Sequence, residues 1–123
     1  MKKPERWKPE NLRMEKGWVG NGILAYTCNA INSNQPVGTV WVHLTSNTRK
    51  QIVCDVVDIY VPQNFRRLGI GTHVMKWLLD NYGILKNGTG TKDGGKALLK
   101  SMGWKQNRET TEWYLKGKPK PVR

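Results

Sequence analysis

The chain of 123 residues is most informative at first for what it has little of. Its two cysteines, Cys28 and Cys54, are too few for a disulfide scaffold and have no His or Cys neighbour at zinc-ligand spacing. Buried free thiols are therefore expected, and no metal. No apolar run approaches the roughly 18 residues that cross a bilayer, and the start Met-Lys-Lys-Pro-Glu-Arg-Trp lacks the apolar stretch of a secretory signal. A cytoplasmic protein without membrane contact is the expectation. Acidic residues are scarce, nine against 21 basic, which leaves a net charge of +12. No repeat with a period of 20 to 50 residues is visible.

What is present suits one small domain. Hydrophobic residues at 37% and six tryptophans supply enough bulky apolar surface to offset the entropy of ordering a chain of this length. The charge is concentrated at the ends. Residues 1–19 hold six basic and three acidic groups, and residues 116–123 hold four basic and none acidic. The organisation read from this is a basic segment at 1–19, a single domain at 20–116 and a disordered basic tail at 117–123. The basic ends are suited to nucleic acid or to an acidic protein, and equally to plain solvation.

Residues 1–19 have only a weak helical pattern and are left unplaced. From Ile23 to Ile31, and again from Val37 to Leu44, β-branched and aromatic residues flank the turn Asn32-Ser33-Asn34-Gln35-Pro36, which predicts an antiparallel hairpin. A third strand, Gln51 to Val61, is apolar on both parities and should lie centrally. The period then changes. Ile70, Val74, Met75, Trp77, Leu78 and Leu79 recur at three and four, predicting a helix from Gly71 to Tyr82. A short strand at Ile84 to Asn87, a loop at 88–94, a helix around Ala97 to Met102 closed by Gly103, and final strands at Trp104 and at Thr110 to Lys116 complete a mixed α and β (α+β) reading.

Between the third strand and its helix stands Arg66-Arg67-Leu68-Gly69-Ile70-Gly71-Thr72. Glycines here let the backbone turn tightly enough for several N–H groups to converge at a helix N-terminus, where the helix dipole also favours an anion. Arg66 and Arg67 add positive charge suited to phosphate. The turn lacks the Gly-Lys-Ser/Thr of a Walker loop and the third glycine of the dinucleotide fingerprint. On spacing alone, a purely structural strand-to-helix turn is an equal reading.

The wider stretch, Val61 to Thr72 entered from an apolar strand and followed by Val74 to Leu79, resembles the acyl-CoA motif Gln/Arg-x-x-Gly-x-Gly/Ala of the GNAT acyltransferase superfamily. The hairpin carrying Pro36 to Trp41 and the run Ala97 to Trp104 are similar to that family's second and third strands and its last helix. The resemblance spans roughly Ile23 to Lys116. It implies a central, mostly antiparallel twisted sheet and an N-acyltransferase with acetyl-CoA as cosubstrate. The pyrophosphate would lie on the amides of Arg66, Arg67, Leu68, Gly69, Ile70, Gly71 and Thr72. The pantetheine arm would pair with Ile59, Tyr60 and Val61 at the end of a bulged central strand, an open edge whose free groups suit a ligand with two amides.

Amine attack on a thioester needs a base. The resemblance points to Asp55, sixteen residues before Gly71; by parity it shares a face with Val53, Val57 and Ile59, where desolvation would raise its pKa. A plain hydrogen-bonding role in the sheet has equal standing for Asp55, and Asp58, on the other parity, is second choice. The family's usual general-acid tyrosine is replaced here by Leu99, with Tyr82 and Tyr114 as substitutes better suited to packing, and Gly94 stands where the family often has asparagine. The strand and two helices that usually precede the hairpin and wall the acceptor site have only about twenty residues to occupy, so the amine acceptor stays open, as does a homodimer that completes the site. Two other readings are a CoA-binding module without turnover and a basic nucleic-acid-binding protein.

Overall fold

The computed structural model describes residues 8–31, 35–66, 68–87 and 95–122. Its elements in chain order are β1 (Leu12–Gly20), β2 (Ile23–Ala30), β3 (Gln35–Ser46), β4 (Ile52–Tyr60), α1 (Ile70–Tyr82), β5 (Ile84–Asn87), α2 (Gly95–Ser101), β6 (Lys105–Gln106) and β7 (Trp113–Lys116). The strands form one seven-stranded sheet in the order β1-β2-β3-β4-β5-β7-β6, antiparallel throughout except for the β4–β5 pair. This is the mixed architecture expected, with both helices where the periodicity puts them.

Most of the described part of the segment left unplaced in the sequence reading is β1, the edge strand of this sheet. Leu12 and Met14 turn inward while Arg13 and Glu15, ion-paired at 2.8 Å, take the outer face, so a period of two is present but masked by charge. Glu15 also accepts a 2.9 Å hydrogen bond from Asn29 across the ladder. Asn21 and Gly22, both at positive φ, join β1 to β2 directly as the two-residue hairpin turn that Asn-Gly favours. The strand implied by the resemblance therefore exists, and the two helices implied beside it do not fit between β1 and β2.

One face of the sheet packs under α1. Val40, Val42, Cys54, Val56 and Leu85 meet Ile70, Val74, Met75 and Leu78, all nearly inaccessible to solvent, and Leu99, Trp104 and Trp113 extend the same core. Gly38 makes the close approach possible: a Cβ there would lie 3.1 Å from the Ile70 side chain. Both cysteines are free and fully buried, and burial pushes their thiols up to about 11 for Cys28 and about 12 for Cys54. The opposite face presents Trp41, His43, Asp55, Lys86 and Tyr114, all only half-buried.

The helix ends are closed by backbone geometry. Gly103 at φ 82 follows α2, with Gly103 N–H bonded to Lys100 O and Trp104 N–H to Leu99 O, the paired bonds of a Schellman cap. Lys118 to Val122, expected to be disordered, instead run beside the start of β4: Ile52 N–H donates to Lys120 O at 2.8 Å and Val122 N–H to Lys50 O at 2.9 Å. The expected loop at 88–94 lies outside the described residues.

Candidate active site

The centre of the sheet is broken at one residue. Val42 pairs with Val56 and Trp41 with Asp58, so Val57 has no partner on β3 and stands 49% exposed. An inserted residue of this kind reverses the parity of everything after it. Asp55, opposite His43, and Asp58, opposite Trp41, consequently share the open face of the sheet, although a spacing of three places them on opposite faces of a regular strand. Ile59, opposite Val40, turns to the core face instead. The apolar surroundings expected for Asp55 belong to the other parity, that of Cys54 and Val56; Asp55 is half-buried and Asp58 exposed.

Beside the bulge lies the parallel pairing of β4 with β5, which among the described residues covers Cys54 with Leu85 and Asp55 with Lys86. One residue further on, Val56 O is held by a side chain, the Asn87 Nδ2, at 2.8 Å. Further along, Ile59 N–H donates to Asp58 Oδ1 at 2.8 Å, and Arg66 Nε donates to Val61 O at 2.9 Å. Tyr60 projects into solvent, 51% exposed, and Val61 is half-buried.

From Val61 the chain turns through Pro62 to Phe65, with Phe65 N–H on Pro62 O and Arg66 N–H on Gln63 O at 3.3 Å. The Arg66 amide is thus engaged in the turn, and its contribution to an anion rests with the exposed guanidinium. Arg67 lies outside the described residues. Gly69 adopts φ 86, ψ 4, a left-handed conformation that side chains resist, and caps α1 with no side-chain hydrogen bond. The first helical bond runs from His73 N–H to Gly69 O at 3.0 Å, so the amides of Ile70, Gly71 and Thr72 precede the intrahelical ladder. The first turn contains no acidic residue. Leu68 and Thr72 are half-buried and Ile70 is buried. Gly71 has a packing reason of its own, since a Cβ there would come 3.1 Å from Leu98 of α2.

The remaining side chains divide clearly. Tyr82 bonds hydroxyl to hydroxyl with Tyr26, whose ring tilts against Trp77 at 5.0 Å. Burial, reinforced by that bond, pushes the Tyr82 phenol above its ordinary value, as befits a packing residue. Leu99 is core. His73 sits in the first turn of α1, where burial holds its imidazole below the ordinary 6.5. Tyr114 faces Lys86 across β5 and β7, and Lys86 pairs with Glu112 at 3.2 Å.

Sequence reasoning missed three neighbours of the bulge. His43 and Trp41 are placed opposite the two aspartates only by register, which depends on the bulge and leaves no local mark. Asn87 did leave one: an asparagine is a poor strand former, and one at the end of the apolar strand Ile84–Asn87 signals a buried bond.

The chain matches the family model described as Acetyltransferase (GNAT) family over residues 1–85. Among solved structures, YhhK from E. coli bound to coenzyme A is 18% identical, with a TM-score of 0.63 over 81% of this chain and 76% of that one. Naa50 from Arabidopsis thaliana, in complex with the bisubstrate analogue CoA-Ac-MVNAL, is 15% identical, with a TM-score of 0.55 over 73% and 68%. A KacTA–DNA complex gives 10% identity and a TM-score of 0.63 over 85% and 70%. No curated protein matches the chain.

Proposed function

The chain belongs to the acetyltransferase (GNAT) family, an acyl-transferring enzyme by that membership, and we propose that it transfers acetyl from acetyl-CoA to an amine by direct attack. The observation that carries this reading is the continuity of two open features. The end of β4 beyond the unpaired Val57 runs, through one short turn, into a helix N-terminus with three amides outside the ladder. A pyrophosphate suits the amides of Leu68 to Thr72, a cradle with no acidic side chain in its helical turn, with Arg66 and Arg67 supplying charge. A pantetheine arm suits the edge from Ile59 to Val61. Coenzyme A in the YhhK structure and the bisubstrate analogue in that of Naa50 support the choice of donor.

In this reading the arm displaces two internal partners. Arg66 leaves Val61 O for phosphate, and Asp58 leaves Ile59 N–H, which then receives the thioester oxygen as charge grows on it. Asp55 and Asp58, brought to one face by the bulge, serve as base or water-orienter. The amine nitrogen attacks the carbonyl carbon as its proton passes to carboxylate or water; the C–N bond forms, the C–S bond breaks, and the thiolate leaves to be protonated by solvent, its pKa near ~8.5 making a dedicated acid dispensable. Between β1 and β2 there are only two residues, so no helix between those strands walls the acceptor.

Calorimetry with acetyl-CoA, followed by mass spectrometry of peptides and small amines incubated with it, tests the proposal. Uptake of the donor and a gain of acetyl on an amine, lost in Asp55→Asn, Asp58→Asn, are the expected results. Failure to bind acetyl-CoA would overturn it.

A further inference from the structure

The C-terminal tail is fixed at one end of the sheet. Gly117 N–H donates to Gly83 O at 2.7 Å, and a Cβ on Gly117 would lie 3.1 Å from the Leu79 side chain. The chain then crosses to the start of β4: Lys120 O accepts from Ile52 N–H, Pro121 bridges to Gln51, and Val122 N–H closes on Lys50 O. Pro119 and Pro121 have no N–H to offer, so the tail is a poor template for an added peptide strand.

The turn it laps against, between β3 and β4, is equally fixed. Asn47 Oδ1 accepts from the amides of Arg49 and Gln51, both at 3.0 Å, and Asn47 Nδ2 donates to Gln51 Oε1 at 2.9 Å. Turn and tail together set five cations at this end: Arg49, Lys50, Lys116 and Lys118, all exposed, and Lys120, half-buried. Residues 47–51, 79–83 and 116–122, which build this end, hold a single acid, Asp80. Among the described residues the ion pairs are Arg13 with Glu15 and Lys86 with Glu112, so none of the five cations is paired. Cations held close without counter-charge repel one another, and a polyanion relieves that repulsion.

The kind of polyanion is narrowed by what the surface lacks. Residues 47–51 and 116–122 contain no aromatic side chain, and Tyr82 beside them is half-buried with its hydroxyl bonded to Tyr26. A nucleic-acid single strand is held by stacking its bases on aromatic faces, and a protein partner by an apolar and aromatic centre. This end offers charge and one exposed valine, Val122. Lys and Arg with nothing to stack on suit the phosphates of a duplex, which are contacted without reading bases.

We propose that the β3–β4 turn and the C-terminal tail form a docking surface for the phosphate backbone of a nucleic-acid duplex. The surface is separate from the donor site, since β4 begins at this end and the turn into α1 begins where β4 finishes. The proposal therefore stands independently of the acetyl-CoA reading, and a duplex held here leaves that site accessible.

Fluorescence anisotropy with a labelled DNA duplex of about 20 base pairs and mixed sequence, between about 50 and 200 mM salt, tests it. Five phosphate contacts imply that log Kd rises with log salt at a slope of about 4. Arg49→Gln, Lys118→Gln should lower that slope by about 2 and weaken binding about tenfold at the lowest salt, with melting temperature and CoA affinity unchanged. Lys100→Gln, Lys105→Gln removes the same charge from α2 and β6 and should leave slope and affinity near those of wild type. Equal loss in the two pairs would reduce the binding to diffuse attraction and overturn the surface, as would no binding at the lowest salt or displacement of the duplex by saturating CoA. A single strand of equal length, or polyglutamate of equal charge, bound as tightly as the duplex would overturn the choice of partner.

Discussion

The two ends of α1 are each marked by a glycine in the left-handed region, Gly69 at φ 86 and Gly83 at φ 83, yet they are finished in opposite ways. At the C-terminal end both polar groups of the glycine are used. Gly83 N–H bonds to Leu79 O, Gly83 O accepts from Gly117 N–H at 2.7 Å, and a Cβ on Gly83 would fall 2.0 Å from Lys118 O. At the N-terminal end three amides precede the first helical bond, with no side-chain cap and no carboxylate in the turn. A glycine at a helix end thus says only that the backbone bends there. Whether the bend is sealed by protein or left for a ligand depends on what the rest of the chain brings to it.

The contrast can be broken most severely at the sealed end. Gly83→Ala meets both a positive φ and a backbone clash, and should lower the unfolding free energy by about 3 kcal/mol in urea titration while leaving the CoA affinity of the folded fraction unchanged. Gly69→Ala, at the open end, should cost about 1 kcal/mol, the price of a left-handed alanine, and in addition weaken CoA about tenfold by calorimetry. Arg66→Glu should weaken CoA several-fold with no change in melting temperature, because that side chain is exposed and its bond to Val61 O is local.

The smallest effect concerns pH. His73, in the open turn, is held below the ordinary 6.5, so the unfolded chain binds its proton first as the solution is acidified. Its contribution to stability is present above about pH 6.5 and falls away as the pH drops below it. Denaturant midpoints of wild-type protein should decline more steeply than those of His73→Gln between pH 7 and 5, and parallel profiles would show that the turn does not sense the proton.

Much of this was readable in advance where one period dominates. The spacing of Ile70, Val74, Met75 and Leu78 marks α1 within a residue of its start, and the closing role of Gly103 is visible because a cap needs only local geometry. β1 was hidden because its outer face is charged and its inner face ends at Lys16, so its alternation fails after three residues; the Asn-Gly turn behind it was the better signal. The grouping of the two aspartates was out of reach. It follows from one unpaired valine, and a run that is apolar on both parities gives no sign of where a residue will be left over. For the same reason the glycines could be found but not sorted: Gly71 answers to Leu98, and Gly38 to Ile70, across contacts distant in sequence.

The strand order also bears on how the molecule is made. β7 slots between β5 and β6, so the part of the sheet beyond β4 lacks its middle member until residues 113–116 have been synthesised. On the ribosome, β1 to β4 can hairpin together as they emerge, while β5 waits with a bare flank for a neighbour translated later. A nascent chain stalled before Trp113 would hold a formed β-meander beside an unfinished edge, the stretch most exposed to mispairing with other chains.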